Sequence, residues 1–305
     1  MSSAGDSVVV RVPASTSNCG AGFDTLGIGL ALYNTVTVTR GADDQVVPAP
    51  ERDADGRAQP MVAEAAARYF RAVERDPAGF TYRIDGEVPV ARGLGSSVTV
   101  LAGIVAGLDR LLGGHLSRER LVGLVAALEG HPDNASAGIL GGFCVSRSDP
   151  ASGAYVDTQR FEVPLGVTFV VVSPPVELLT KESRGALPAS LPFFDAVKSV
   201  NAAAYLVAAF ASQNFAQLQK VSGDFIHEPY RLPRIPGGAD AIKAGLGAGA
   251  WTGWLSGSGS SVLCVAPRAQ AQGVLAAMQA AFAAAGMKSD ARILSADNAG
   301  LAVLP

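Results

Sequence analysis

Charge is scarce in this 305-residue chain: Asp, Glu, Lys and Arg make up 17% of it, with 24 basic against 27 acidic residues and a net charge of −3. A nucleic-acid or anionic-membrane binder needs a concentrated basic face, and none is present. Cysteine is nearly missing. Cys19, Cys144 and Cys264 lie far apart, form no CxxC pair and read as free thiols of a reducing compartment. The three histidines, His115, His131 and His227, have no zinc-ligand spacing. Met1 to Val12 lacks the basic and apolar segments of a signal peptide. No apolar stretch reads as the ~18 residues of a membrane span. A cytoplasmic protein with no membrane or nucleic-acid partner is expected.

Hydrophobic residues, at 49%, supply a sizeable core, and 35 glycines suggest tight turns and close backbone approaches. The length favours two domains. The polar, turn-rich stretch Asp149–Asp157 marks the expected boundary, giving units 1–157 and 158–305. Strands are expected at 8–12, 33–39, 80–85, 141–146, 167–173, 261–266 and 301–304. Helices are expected at 61–75, 98–112, 117–129, 195–212, 214–227, 238–248 and 269–286. Residues 42–59 read as loop. Strands and helices mix without a βαβ rhythm, which favours α+β over a doubly wound sheet.

Six segments can carry chemistry. Gly93-Leu-Gly95-Ser96-Ser97 enters an all-apolar helix. The first N–H groups of a helix have no internal partner, and its dipole adds positive potential there, so glycines and hydroxyls at that point form a phosphate cradle. No Gly-Lys-Ser/Thr follows, so it is not a Walker A loop; Val98 fills the third glycine position of a Rossmann fingerprint. A second glycine-serine loop spans Leu255 to Ser261. Asn18 and Asp24 stand among glycines after the first strand. Glu129-Gly-His131-Pro-Asp133-Asn134 ends a helix and holds enough carboxylate for a Mg²⁺ site completed by substrate phosphates. Thr180-Lys-Glu-Ser-Arg184 and Glu228-Pro-Tyr-Arg231 carry guanidiniums suited to carboxylates or phosphates.

In this order the segments resemble the GHMP small-molecule kinases over almost the whole chain. Three motifs carry the resemblance: Pro13 to Asp24, Pro89 to Thr99, and Ser256-Gly-Ser-Gly-Ser260. Within that superfamily the chain is most similar to the homoserine kinases. Asn18…Asp24, Glu129 to Asn134, Thr180…Arg184-Gly-Ala-Leu-Pro188 and Glu228-Pro-Tyr-Arg231 point that way. The resemblance implies an N-terminal domain like domain 2 of ribosomal protein S5 and a ferredoxin-like C-terminal domain. It implies ATP-dependent phosphorylation of the side-chain hydroxyl of L-homoserine to O-phospho-L-homoserine, in threonine biosynthesis, and a homodimer, for which no segment marks an interface.

By the same resemblance, ATP would contact Pro89, Val90, Ala91, Arg92, Gly93, Leu94, Gly95, Ser96, Ser97, Val98 and Thr99, with Ser256, Gly257 and Gly259. Ser97 and Glu129 would hold Mg²⁺. Asn18, Asp24, His131, Asp133, Thr180, Arg184 and Arg231 would surround homoserine, the arginines at its carboxylate. Asn134, Ser97 and Arg231 would act in the transfer step. An asparagine stands where some of these kinases use an aspartate base, which implies catalysis by positioning. The sequence departs from its relatives at Val98-Thr99, Ala135-Ser-Ala137 and Ser260-Ser261, and Glu129 lies only two residues before His131. A kinase for another small alcohol, or a ligand-sensing relative, are the competing classes.

Overall fold

The computed structural model describes residues 7–41, 49–178, 180–221 and 223–305. The strands are β1 (Ser7–Ser17), β2 (Leu26–Arg40), β3 (Ala49–Pro50), β4 (Phe80–Gly86), β5 (Phe143–Ser148), β6 (Tyr155–Phe161), β7 (Val167–Ser173), β8 (Thr252–Leu255), β9 (Val262–Pro267), β10 (Asp290–Leu294) and β11 (Ala302–Leu304). The helices are α1 (Gln59–Ala72), α2 (Ser96–Leu111), α3 (Arg118–Glu129), α4 (Asp133–Leu140), α5 (Thr180–Gly185), α6 (Phe193–Ala211), α7 (Glu228–Arg231), α8 (Gly238–Gly247) and α9 (Ala271–Ala284).

Two sheets organise them. The first runs β11-β1-β2-β4-β3, and β5 and β6 branch from β2. Its long strand β2 pairs β5 through Leu26–Ile28 and β4 through Asn34–Arg40. β1 lies along β2 throughout, and its register shifts at Pro13/Ala14. Proline has no N–H for a ladder, so it sits at such an irregularity. The strand therefore continues past Val12, where the sequence suggested an end, and Ser15 and Ser17 belong to it. The second sheet is antiparallel, in the order β10-β7-β9-β8. With its helices it follows the ferredoxin-like β-α-β-β-α-β succession.

Both faces of the second sheet are covered, which is why β7 is buried from Val167 to Val172 and apolar at each of these positions except Thr168. Val170 and Val172 join Val274, Met278 and Phe282 of α9. Phe169 and Val171 join Leu206 and Phe210 of α6, and also Leu26, Ile28 and Leu30 of β2. One core thus stitches the two sheets together. The boundary expected at 157/158 falls inside β6, which pairs β5, while β11 returns to pair β1. In the N-terminal half α2 is buried between the first sheet and α1 and α3.

Several expectations change. Residues 214–227 are not a helix. Phe215–Lys220 is a 3₁₀ turn, and Asp224 then accepts the N–H groups of Ile226, His227 and Glu228. Residues 42–48 of the expected 42–59 loop lie outside the described residues; 49–50 pair with β4 and 53–58 form a 3₁₀ turn. By length and mean composition alone α6 is long and apolar enough to cross a membrane, yet Asp195 and Lys198 interrupt its apolar run. Its inner side packs Leu206, Ala209 and Phe210 into the shared core. All three cysteines are free and buried.

Candidate active site

A cleft of about 230 Å³ opens where the two halves meet. One wall is the N-terminus of α2. Its N-cap is Gly95 at φ 69°, and no side chain caps the helix. Thr99 N donates to Gly95 O, so the N–H groups of Ser96, Ser97 and Val98 precede the first helical bond. A Cβ on Gly95 would lie 2.2 Å from Ser15 Oγ, and one on Gly93 2.0 Å from the Ser256 carbonyl. Only glycine fits these close approaches. The Gly-Ser loop after β8 fastens onto this wall: Ser256 Oγ donates to Gly93 O (2.7 Å) and Ser261 N to Arg92 O (3.1 Å).

The floor comes from β1 and α4. Gly130 closes α3 in the left-handed conformation at φ 86°, so the chain turns sharply into α4. Glu129 and Asp133 thereby reach one cleft. Asn134 is held on both sides: Ser15 Oγ donates to its Oδ1 (2.8 Å), and its Nδ2 donates to Ser17 Oγ (3.0 Å). His131 Nδ1 donates to Asp133 Oδ1 at 2.5 Å. Burial pushes the imidazole down, but the charge and hydrogen bond of Asp133 outweigh it, helped by Asp24 and Glu129, and lift it to about 9. His131 is therefore a cation at neutral pH. Burial raises Glu129; the Ser97 hydroxyl hydrogen-bonds it and opposes the rise.

The opposite wall carries the guanidiniums. The loop after β1 is bent through left-handed Asn18, Cys19 and Asp24 (φ 65°, 46° and 53°). Asn18 Oδ1 accepts from Asp24 N, and its Nδ2 donates to Gly257 O. Asp24 then takes Arg184 in a fork, both bonds at 2.9 Å. Arg231 is buried and donates to the carbonyls of Ser183 (3.2 Å) and Gly257 (3.3 Å). Among the described residues it has no carboxylate in ion-pairing range. Burial and then Arg184 push it down to about 10.

The structure brings together Asn18, Asp24, Val90, Ala91, Gly93, Gly95, Ser96, Ser97, Glu129, His131, Asp133, Asn134, Arg184, Arg231 and Gly257. It does not bring the others to the cleft. Leu94 and Val98 point into the core, and Thr99 Oγ1 is engaged by Asn34 Nδ2 and by Ser96 O. Arg92 lines a separate groove with Ser173 and Lys288. Pro89 does not line the cleft, and Ser256 and Gly259 shape it only through the loop. The Thr180 side chain lies outside the described residues. Sequence reasoning passed over Ser15 and Ser17, which hold Asn134, and Phe23, which lines the cleft. The alternation along an extended β1 would have flagged the two serines.

Two sets of side chains in the cleft offer donors for a cation. Asp24, His131 and Asp133 bring ligand atoms within 4.8 Å of one another, but Arg184 and the imidazole already occupy those oxygens. Ser97 and Glu129 offer a hydroxyl and a carboxylate beside the free helix N-terminus. That hard-oxygen pair fits a magnesium ion that also binds phosphates.

The cleft sets an uncapped helix N-terminus beside side chains of both charge signs, an arrangement suited to phosphoryl transfer to a small polar substrate. Comparison with known proteins agrees. The model of the GHMP kinases N terminal domain matches residues 61–142, and that of the GHMP kinases C terminal domain matches 206–284. Homoserine kinase of Moorella thermoacetica is 40% identical over 298 residues, 97% of this chain and 99% of that one. Homoserine kinase of Prochlorococcus marinus is 36% identical, covering 98% and 96%. The crystal structure of homoserine kinase from Cytophaga hutchinsonii superposes with TM-score 0.87 at 28% identity, covering 100% and 99%. Methanococcus jannaschii mevalonate kinase, at 12% identity and TM-score 0.68 over 97% and 100%, shares the fold. The chain belongs to the GHMP kinases and is a kinase of that two-domain α+β fold.

Proposed function

We propose that this kinase transfers the γ-phosphoryl group of ATP to the side-chain hydroxyl of L-homoserine, giving O-phospho-L-homoserine for threonine synthesis in the cytoplasm. The observation that carries the reading is the charge arrangement opposite the α2 N-terminus. Arg184 and Arg231 share the cleft with Asp24, Asp133 and Glu129, and Arg184 is paired with Asp24. A zwitterionic amino acid satisfies both signs. Its carboxylate goes to the arginines and its ammonium to Asp24 and Asp133. Mevalonate has the carboxylate and no ammonium, and once that carboxylate takes Arg184 it would leave Asp24 without a cation.

In this reading the triphosphate rests on the free N–H groups of Ser96, Ser97 and Val98 and along the Gly93–Gly95 backbone. Ser97 and Glu129 would hold Mg²⁺, which supplies charge neutralisation between the phosphates. Asn134, fixed by Ser15 and Ser17, orients the hydroxyl. An amide is no base at neutral pH. The hydroxyl oxygen forms the new P–O bond as the bond to ADP breaks, and its proton passes to the transferred phosphate. The loose transition state of phosphoryl transfer makes a strong base unnecessary, and helix dipole and positioning supply the stabilisation.

The test is ADP release from Mg-ATP with L-homoserine, D-homoserine, mevalonate, galactose and L-serine. Stereoselective turnover of L-homoserine supports the reading. Activity on another alcohol alone replaces the substrate, and ATP binding without turnover across the panel favours a sensor.

A further inference from the structure

Arg231 is a buried cation bonded to two carbonyls, with no carboxylate in ion-pairing range among the described residues; Asp24, Asp224 and Asp133 act on it only from farther away. Its neighbour Arg184 is also a cation. Two guanidiniums in one cleft wall repel, and neither Ser183 O nor Gly257 O carries a full charge. What faces them both is the ring of Phe23. The Arg184 Cζ lies 5.3 Å from the ring centroid and the Arg231 Cζ 5.2 Å. A guanidinium within about 6 Å of an aromatic centroid is attracted by the negative face of the ring.

The ring is itself anchored. His227 packs against it with centroids 5.4 Å apart. His227 Nε2 donates to the Gly20 carbonyl at 3.0 Å, in the same loop as Phe23. His227 directly precedes α7, whose last residue is Arg231. The loop that carries Asp24 and the helix that carries Arg231 are thus clamped at one aromatic ring.

We propose that Phe23 is a positioning and specificity-determining residue: its π face takes the place of a counter-ion for Arg231 and holds that guanidinium beside Arg184, whose own partner is Asp24, as a site for a substrate carboxylate. This rests on the reading of those arginines given above. A second protein carboxylate on Arg231, in addition to Asp24 on Arg184, would neutralise the wall and compete with substrate. A ring attracts the Arg231 cation without taking any of its hydrogen-bond donors.

The test replaces Phe23 with 4-fluoro-, 3,5-difluoro- and 3,4,5-trifluorophenylalanine, which nearly preserve shape and progressively cancel the quadrupole. KM for L-homoserine is expected to rise along the series, by about threefold to thirtyfold at the end. KM for ATP and the Tm should stay near wild type. Phe23→Leu should match the end of the series, and Phe23→Trp should recover the wild-type KM. A flat fluorination series, or an equal rise in KM for ATP, would overturn the proposal. Arginine Nε–H resonances of Arg184 and Arg231, assigned with Arg→Lys variants, give a substrate-free readout. The ring should shift them upfield in the parent and Phe23→Leu should return them; no change removes the stack. If the parent neither binds nor turns over L-homoserine while those shifts behave as expected, the substrate assignment fails and the ring–guanidinium arrangement stands.

Discussion

Asp24 and Arg184 are locked together across 160 residues of sequence by two parallel bonds of 2.9 Å. The pair imitates the substrate proposed for it: a carboxylate on one side and a cation on the other. A zwitterion can enter by exchanging partners, its ammonium taking Asp24 and its carboxylate taking Arg184. An analogue with one charge opens the pair and leaves the other half bare, at a cost of about 2–4 kcal/mol for an unpaired, partly buried charge. 4-Hydroxybutyrate and 3-aminopropanol should therefore each bind on the order of 100-fold more weakly than L-homoserine. Asp24→Asn should narrow the gap between L-homoserine and 4-hydroxybutyrate. Competition against L-homoserine turnover measures both, and equal inhibition by the one-charge analogues would refute the exchange.

The glycine loop gives a second prediction. A Cβ on Gly95 meets Ser15 Oγ at 2.2 Å, and the left-handed φ of 69° adds strain. Ser15 also holds Asn134. Gly95→Ala should thus cost about 1–3 kcal/mol in stability, and kcat should fall more than Tm alone accounts for, because Asn134 loses its support. Chemical denaturation and steady-state kinetics read the two effects. Wild-type kcat in a folded Gly95→Ala protein would contradict the coupling.

These two sites differ in how they were written into the chain. The phosphate-type loop was legible because its physics is local: two glycines, two serines and a buried apolar helix stand in sequence. The acidic, asparagine and arginine positions stood out singly by residue type and were joined into one site only through the family resemblance; the fold assembles nearly all of them in one cleft. Phe23 and His227 were not legible at all. Their contact joins positions 204 residues apart, and neither residue type announces a π platform for cations. Pro13 hid the second half of β1, since a proline reads as a stop and a β-bulge admits it. Residues 214–227 misled through composition. Phe215 and Leu218 have helical spacing, but they plug a core from a 3₁₀ turn, and the Asp224 carboxylate takes the next backbone donors.

Asn134 allows a direct test of positioning against base catalysis. Its amide is fixed by Ser15 and Ser17, so its orientation costs nothing at the moment of reaction. Asn134→Ala should lower kcat by about 10- to 100-fold, the range of a lost positioning bond. That is less than the loss in kcat/KM expected for Ser97→Ala or Arg231→Ala. A pH–rate profile of Asn134→Ala should keep the parent's shape, since no proton-transfer group has been removed. A kcat loss of several orders of magnitude would refute the positioning role.

Glu228 supplies the pH prediction. Its carboxyl is buried behind the arginine wall, and Leu255 N donates to it at 2.6 Å. Burial lifts it to about 8, the Leu255 bond opposes this, and Asp224 reinforces it. The ordinary value is 4.5. Between those two values the folded chain therefore holds a proton that the unfolded chain has lost. Stability from this group must fall as pH rises through the window, and it is unaffected by pH below 4.5. Glu228→Gln keeps the acceptor for Leu255 N and cannot ionise. The Tm difference between Glu228→Gln and the parent should grow in favour of the variant from about pH 5 to pH 8 and then level off. Other titrating groups cancel in that difference because both proteins carry them. A difference that stays constant with pH would mean that Glu228 is ionised throughout, and that a cation near α7 compensates it.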